Sequence, residues 1–385
     1  MGSIGGGESD IHLGFINPRS GVYAEVGEHQ AQGAELARED FESNFEDINV
    51  EVTEADTETD ADVAVRQAEK VVERDNVDVL IGVISSSAAV NVSQWASRNE
   101  VAFMNAGSHT DSVTGEGCGK YTWRVPSSNT MTARTVGSAL ADHADSYFII
   151  YADYSWGVTG KEAIREVLEE KGVDVVGEVA APLGAEDYSS QLAELEESDA
   201  EALANITGGG DNVRITRQFI ERGLQDNFKM GGPLLEDINY WGMTHEEAQH
   251  VGVYGTSWSP AIRNDRIGNF IDRVQENYGV TAYSRHYYGY TAMDQILRGY
   301  ARAGSVNADD IKDVMAGHDY TDEGLLSGTQ KWRECDGQNM KPTYAVKPRP
   351  VDEMQDEPHK IWFEQVGTKQ ADEVARSCEE TGCQY

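Results

Sequence analysis

The chain has 385 residues, 31 Lys and Arg against 67 Asp and Glu, a formal net charge of −36, and 39% hydrophobic residues. So acidic a chain is repelled by phosphate backbones and anionic lipid, which argues against nucleic-acid binding, and no apolar run approaches the roughly 20 residues of a membrane-spanning helix. Its 7 Trp, 17 Tyr and 9 Phe supply core material that a disordered acidic chain lacks.

Residues 1–10 are small and polar, without the apolar stretch of a signal peptide, and residues 1–9 read as a flexible segment. From there strand and helix alternate. Strands are predicted at 11–16, 48–52, 77–84 and 101–104, with helices at 31–41 and 60–73 and a further helix opening at Ser85, Ser86 and Ser87. The rhythm restarts after a break near 124–129, with strands at 147–151, 173–179, 202–207 and 251–256 and helices at 157–171, 189–197 and 213–222. Three helical stretches follow at 264–278, 285–303 and 308–315, and the remainder after Gly317 is irregular and strand-like. Two βαβα sets in one chain predict two α/β lobes, each a doubly wound parallel sheet.

The surplus carboxylates fall on predicted helix faces, for instance Glu162, Glu166, Glu169 and Glu170, and Glu194, Glu196 and Glu197. Such a surface repels itself unless salt screens it, and in molar salt the Debye length is about 3 Å. The even spread along the chain is the pattern of a halophilic protein rather than of one acidic docking patch. Of the four cysteines, Cys118, Cys335, Cys378 and Cys383, none has zinc-ligand spacing. Cys378 and Cys383 enclose a short loop in an exposed tail, where a disulfide suits an oxidising compartment; four free thiols in a cytosolic protein is the alternative.

Catalytic and cofactor templates fail. There is no G-x-S-x-G elbow; 157–162 lacks the first glycine and the hydroxyl of a phosphate loop; 208–213 breaks the dinucleotide pattern at Val213; His245 and His250 do not share a helix face. The stronger signal is the polar loops at the carboxyl ends of predicted strands, where open α/β sheets bind ligands. These are 85–87, 105–110, 153–157 and 207–211. The serine run opens a helix, so its N–H groups suit an anion such as a carboxylate, although N-capping explains serines there equally well. Trp156 reads as a cleft wall or as core, and Tyr23 is a weaker candidate wall.

The stretches 14–21, 81–87, 184–192, 217–224 and 335–338, in that order and spacing, resemble the type I periplasmic binding proteins, in particular the leucine/isoleucine/valine-binding branch that serves ABC transporters. The resemblance covers about residues 10–366. It implies an α/β fold of two doubly wound, Rossmann-like lobes joined by three hinge crossovers, near 125–127, 256–259 and 327–329. Lobe 1 would then comprise 10–125 and 257–327, lobe 2 would comprise 126–256 and 328–366, and 367–385 would be a C-terminal tail. A Cys118–Cys335 disulfide rests on parity and on this resemblance.

Carried over by position, the resemblance gives Ser86, with Ser87 beside it, as the carboxylate-binding serine. Gly107, Ser108 and His109 stand in the next loop, with imidazole replacing a family hydroxyl. Trp156 stands where the family has an aromatic before glycine. A second family aromatic falls at Gly208 or Gly209 and is absent, and the acid that meets the ligand ammonium falls at Glu236 or Asp237. The function implied is non-enzymatic: an extracellular, cell-surface component of an ABC importer that captures a small neutral amino acid by hinge closure, with no cofactor or metal. Its partners would be the permease and ATPase subunits, with no nucleic acid and no direct membrane insertion. The alternative is a sensing or regulatory receptor of the same fold for short amides, urea or an aromatic acid.

Overall fold

A computed structural model describes residues 10–355 and 359–385. The segment 1–9, expected to be flexible, lies outside the described residues. The chain forms, in order, β1 (Asp10–Asn17), α1 (Ala24–Asn44), β2 (Asn49–Asp56), α2 (Ala61–Glu73), β3 (Val79–Gly82), α3 (Ser86–Arg98), β4 (Ala102–Asn105), β5 (Thr122–Arg124), α4 (Asn129–His143), β6 (Ser146–Ala152), α5 (Ser155–Glu170), β7 (Asp174–Ala181), α6 (Ser189–Glu196), β8 (Ala202–Ile206), α7 (Gly209–Glu221), β9 (Lys229–Gly232), α8 (His245–Ala248), β10 (Val253–Thr256), α9 (Asp265–Tyr278), α10 (Ser284–Ala303), α11 (Ala308–Met315), β11 (Lys331–Trp332), β12 (Asn339–Met340), β13 (Thr343–Pro348), α12 (Val351–Gln355), β14 (Phe363–Lys369), α13 (Ala371–Val374) and α14 (Cys378–Thr381).

The chain divides into two compact units. Unit 1 holds the residues up to Ser127, with Arg285–Lys341 and Arg376–Tyr385; unit 2 holds Ser128–Ser284 and Pro342–Ala375. Unit 1 carries a five-stranded sheet ordered β2-β1-β3-β4-β5, parallel throughout. Unit 2 repeats that order as β7-β6-β8-β9-β10, all parallel, and extends it with antiparallel β13 and β14. In each unit the winding reverses beside the first strand, between β1 and β3 or between β6 and β8. Crossover helices leave on opposite faces there, and the strand ends open into a crevice.

The central strands are wholly buried, as at 79–82, 102–105 and 202–206, which is why they read as continuous apolar runs. The helices follow the amphipathic rule. In α5, Ala163, Ile164, Val167 and Leu168 are buried while Glu162, Glu166, Glu169 and Glu170 are exposed. Within unit 1, α1 and α10 cross so closely that a Cβ on Gly33 would lie 2.0 Å from the carbonyl oxygen of His286, and one on Gly289 would lie 1.8 Å from that of Gln30. Only glycine permits that approach.

The units depart from the sequence expectation in three places. Residues 257–284 belong to unit 2, because α9 buries Ile267, Phe270, Ile271 and Val274 and sets Phe270 against Trp258 with ring centroids 6.2 Å apart. Residues 328–341 belong to unit 1, where Gln338 pairs with the end of β5. The chain also passes between units four times rather than three, after Ser127, Ser284, Lys341 and Ala375. The expected tail 367–385 therefore does not exist as such: 367–369 complete β14, and 376–385 return to unit 1.

The disulfides differ as well. Cys118 bonds Cys383 and Cys335 bonds Cys378, leaving no free cysteine. Cys378 opens the single-turn α14, capped by Ser377 and Glu380, and Cys383 follows the left-handed Gly382. The left-handed turn at Gly382 takes Cys383 out of the helix that carries Cys378, and the two cysteines bond different partners.

Candidate functional site

In unit 1 the site begins at the turn between β3 and α3. Gly82 has φ +123° and buried Val83 has φ +60°, a conformation that strains a β-branched residue. This turn sets Ser86 at the first position of α3. Capping does not explain the serines. Ser85 occupies the cap position without a capping side-chain bond, and the Ser86 hydroxyl instead accepts from Ser108 Oγ at 2.9 Å. Ser86 and Ser108 are both buried, and Ser87 is half-buried.

The loop after β4 packs directly on this turn. A Cβ on Gly107 would lie 2.5 Å from the carbonyl oxygen of Val83, so the loop's approach requires glycine. The amide of Ser108 donates to Asn105 Oδ1 at 3.2 Å. His109 is buried, with Nδ1 2.8 Å from the Ser127 carbonyl oxygen and its ring 5.5 Å from that of Tyr288. Ser86, Gly107, Ser108 and His109 are thus brought together; Tyr23 is buried just before α1.

Unit 1 adds residues that sequence reasoning missed. Arg285 Nη1 donates to the Gly107 carbonyl oxygen at 2.8 Å, with its guanidinium 5.7 Å from the Tyr288 ring centroid. Lys341 Nζ lies 3.3 Å from Ser127 Oγ and 5.5 Å from the Tyr287 ring centroid. Both cations are buried. Burial pushes the Lys341 ammonium down to about 7. Burial first, then Arg285, holds His109 well below the usual imidazole range. No local signal marks either one: Arg285 stands in the first turn of α10 and Lys341 directly after β12.

In unit 2, Trp156 lies in the first turn of α5 after β6. It is buried among Ala133, Ile164 and Ile206, so its ring is a core group, while its Nε1 has no partner among the described residues. Its carbonyl oxygen accepts from Asn129 Nδ2 at 2.9 Å. Gly208 caps α7 and Gly209 starts it with φ +54°. Glu236 and Asp237 are buried after β9. Asp237 Oδ1 accepts from Ser259 Oγ at 2.9 Å, and Oδ2 has no partner among the described residues.

Burial, reinforced by Glu236 and opposed by the Ser259 bond, raises the Asp237 carboxyl from 3.8 to about 7. Between those values the unfolded chain has released a proton that the folded chain retains, so this group makes stability fall as pH rises from about 4 to about 7. Asp237→Asn is expected to remove that slope. Melting temperatures across this range at fixed molar salt test it, and an unaltered pH profile would contradict the assignment.

Among the described residues there is no cluster of three or more His, Cys, Asp or Glu that could hold a metal, and no helix long and apolar enough to cross a membrane.

Two α/β units of equal strand order, each with polar groups at its winding reversal, define the architecture of a bilobal solute-binding protein. The sequence profile of the family described as periplasmic binding protein matches residues 10–352, and the chain belongs to that family. A Leu/Ile/Val-binding protein homolog 7 from Brucella suis biovar 1 is 23% identical over 334 residues, covering 81% of this chain and 82% of the relative. A crystal structure of a periplasmic binding protein from Burkholderia mallei aligns with a TM-score of 0.90 at 25% identity, covering 97% of this chain and 98% of that one. A solute-binding protein of an ABC transporter from Rhodopseudomonas palustris BisB5, in complex with 3,4-dihydroxybenzoic acid, aligns with a TM-score of 0.85 at 19% identity, covering 94% and 98%. These similar proteins are binding proteins rather than enzymes.

Proposed function

We propose that the chain is the substrate-binding component of an ABC importer, working outside the cytoplasm with a permease and an ATPase, and that it captures a small carboxylate-bearing molecule. The observation that carries this is the buried Ser86–Ser108 hydroxyl pair at the start of α3, on a loop bonded to the buried Arg285 guanidinium. Hydroxyls, helix N–H groups and a nearby guanidinium together stabilise a desolvated carboxylate. A neutral amino acid is the cargo that the names of the Leu/Ile/Val-binding relatives suggest, with Glu236 or Asp237 meeting its ammonium. The Trp156 indole N–H and the Gly208–Gly209 turn would supply further interactions from unit 2. Capture by hinge closure is part of this reading, and a ligand drives closure only through interactions that the closed state alone makes.

Two disulfides and no free thiol suit an oxidising location such as the periplasm or cell exterior. The exposed acids of α5 and α6 suit high salt, so the halophilic reading sets the test conditions. The second reading, a receptor for an aromatic acid, draws on the bound 3,4-dihydroxybenzoic acid of the Rhodopseudomonas protein.

A thermal-shift screen of amino acids, hydroxy acids, aromatic acids and amides in molar KCl tests the proposal. With the ligand it finds, Ser86→Ala is expected to weaken binding tenfold or more because a hydrogen bond to a charged group is removed, while the free protein still folds with a lowered midpoint, since Ser108 Oγ loses its acceptor. Unchanged affinity by calorimetry would refute the placement of the carboxylate.

A further inference from the structure

The loop that presents Ser108 ends in a histidine whose hydrogen bonding dictates what it can bind. A carbonyl oxygen only accepts, so His109 Nδ1, 2.8 Å from the Ser127 carbonyl oxygen, carries the ring proton. The ring is neutral, since burial and Arg285 both disfavour imidazolium. Nε2 is then a bare acceptor. It is buried and has no partner among the described residues. A buried acceptor left without a donor costs about 1–3 kcal/mol.

A carboxylate oxygen cannot supply that donor. An ammonium could, but two buried basic groups lie beside the position, the permanently charged Arg285 guanidinium and the Lys341 amine. Arg285 is bonded to the Gly107 carbonyl oxygen, two residues before His109, and Lys341 is bonded to Ser127, the residue that orients the imidazole. The acids that act on the neighbouring Arg124, Asp336 and Asp111, are paired with Arg333 and with Arg376 at 3.7 Å. A further positive charge beside these groups in a low-dielectric interior is costly, whereas an uncharged O–H or N–H meets no such penalty.

We infer that His109 is the specificity-determining residue of the site: its Nε2 accepts a hydrogen bond from an uncharged hydroxyl or amide of the ligand, so the preferred cargo is a carboxylic acid bearing a hydroxyl or carboxamide rather than one bearing an amine. This rests on the carboxylate-binding reading above and narrows it. His109 selects between ligands that Ser86 holds equally well.

Probes that differ in one group test it: L-leucine, 2-hydroxy-4-methylpentanoate and 4-methylpentanoate share one carbon skeleton, and 4-hydroxybenzoate and benzoate share another. Calorimetry in molar KCl is expected to show a hydroxylated probe binding at least tenfold tighter than its parent acid and than L-leucine. His109→Leu should shrink that gap to within about twofold, and His109→Gln, which keeps an acceptor, should restore part of it. Tightest binding of L-leucine, or a gap that persists in His109→Leu, overturns the inference and leaves the carboxylate site standing. No binding of any of these acids overturns both. Nitrogen-15 NMR of histidine-labelled protein gives a ligand-independent check. An unprotonated His109 Nε2 is expected, and a protonated one would contradict the inference.

Discussion

Arg124→Met is expected to destabilise unit 1 by about 3–5 kcal/mol, the range for leaving a buried polar cluster without its charged member. Arg124 stands at the end of β5 and is fully buried. Its Nε donates to Gln338 Oε1 at 2.8 Å, Nη1 donates to the Thr110 carbonyl oxygen, and Nη2 donates to Thr114 Oγ1 and Gln338 Oε1. Gln338 in turn donates to the Pro126 carbonyl oxygen at 3.0 Å. One guanidinium thus ties together β5, the loop after the site histidine, and the β11–β12 hairpin. Methionine matches its length but removes the guanidinium donors to the Thr110 carbonyl oxygen, Thr114 Oγ1 and Gln338 Oε1, of which Gln338 Oε1 keeps only the 3.4 Å bond from Thr114 Oγ1; a buried acceptor without a donor costs about 1–3 kcal/mol before relaxation. Arg124→Lys should recover little, because an ammonium cannot reproduce the planar fork. Denaturant unfolding in molar KCl reads the effect, and a loss below about 1 kcal/mol would show that the cluster contributes packing alone.

Removing the Cys118–Cys383 disulfide, as Cys118→Ser with Cys383→Ser, is expected to cost about 3–5 kcal/mol. The bond joins residues 265 apart in sequence and holds the returning segment 376–385 on unit 1. Cys335–Cys378 closes a separation of 43. The chain-entropy account of disulfides grows with the logarithm of the loop, so losing the second bond alone should cost about 1–2 kcal/mol less than losing the first. Unfolding of both double variants, beside the oxidised and reduced parent, measures the order. Equal losses would assign the stabilisation to local interactions of the segment. One of these is Arg376 Nη2 donating to the Asp111 carbonyl oxygen at 2.9 Å.

Most of the sheet was legible because its strands are buried on both faces and its helices on one. Residues 147–151 and 202–207 stood out as apolar runs, and 60–73 carried the apolar stripe of α2. Helix α4 was not legible. Its Thr132 and Thr135 hydroxyls bond to Ser128 and Met131 carbonyl oxygens within the helix, and most of its faces are buried, so the sequence of hydroxyls and small residues shows no polar side and imitates a loop. Strands β5 and β9 were missed for a different reason. They are three and four residues long, and a buried arginine or paired glycines interrupt their apolar pattern.

The candidate site was legible in part. Serines and small residues at strand ends are a local signal, because winding reversals leave those ends open. The groups that give the loop its character, Arg285 and Lys341, lie far along the chain among ordinary helix and hairpin residues. Nothing in their neighbours marks them as buried.

The sequence by itself determined the alternation of strand and helix, the doubling of the α/β set, the solvated acid coat and the polar strand ends. Each is a property of residues within a few positions of one another, where period, propensity and charge act directly. Tertiary structure alone decided the allocation of 257–284 and 328–341, the fourth passage between units, the pairing of the cysteines and the two cations around His109. These depend on which distant segments exclude water together, and a linear pattern carries burial of its own residues but not the identity of the partners that bury them.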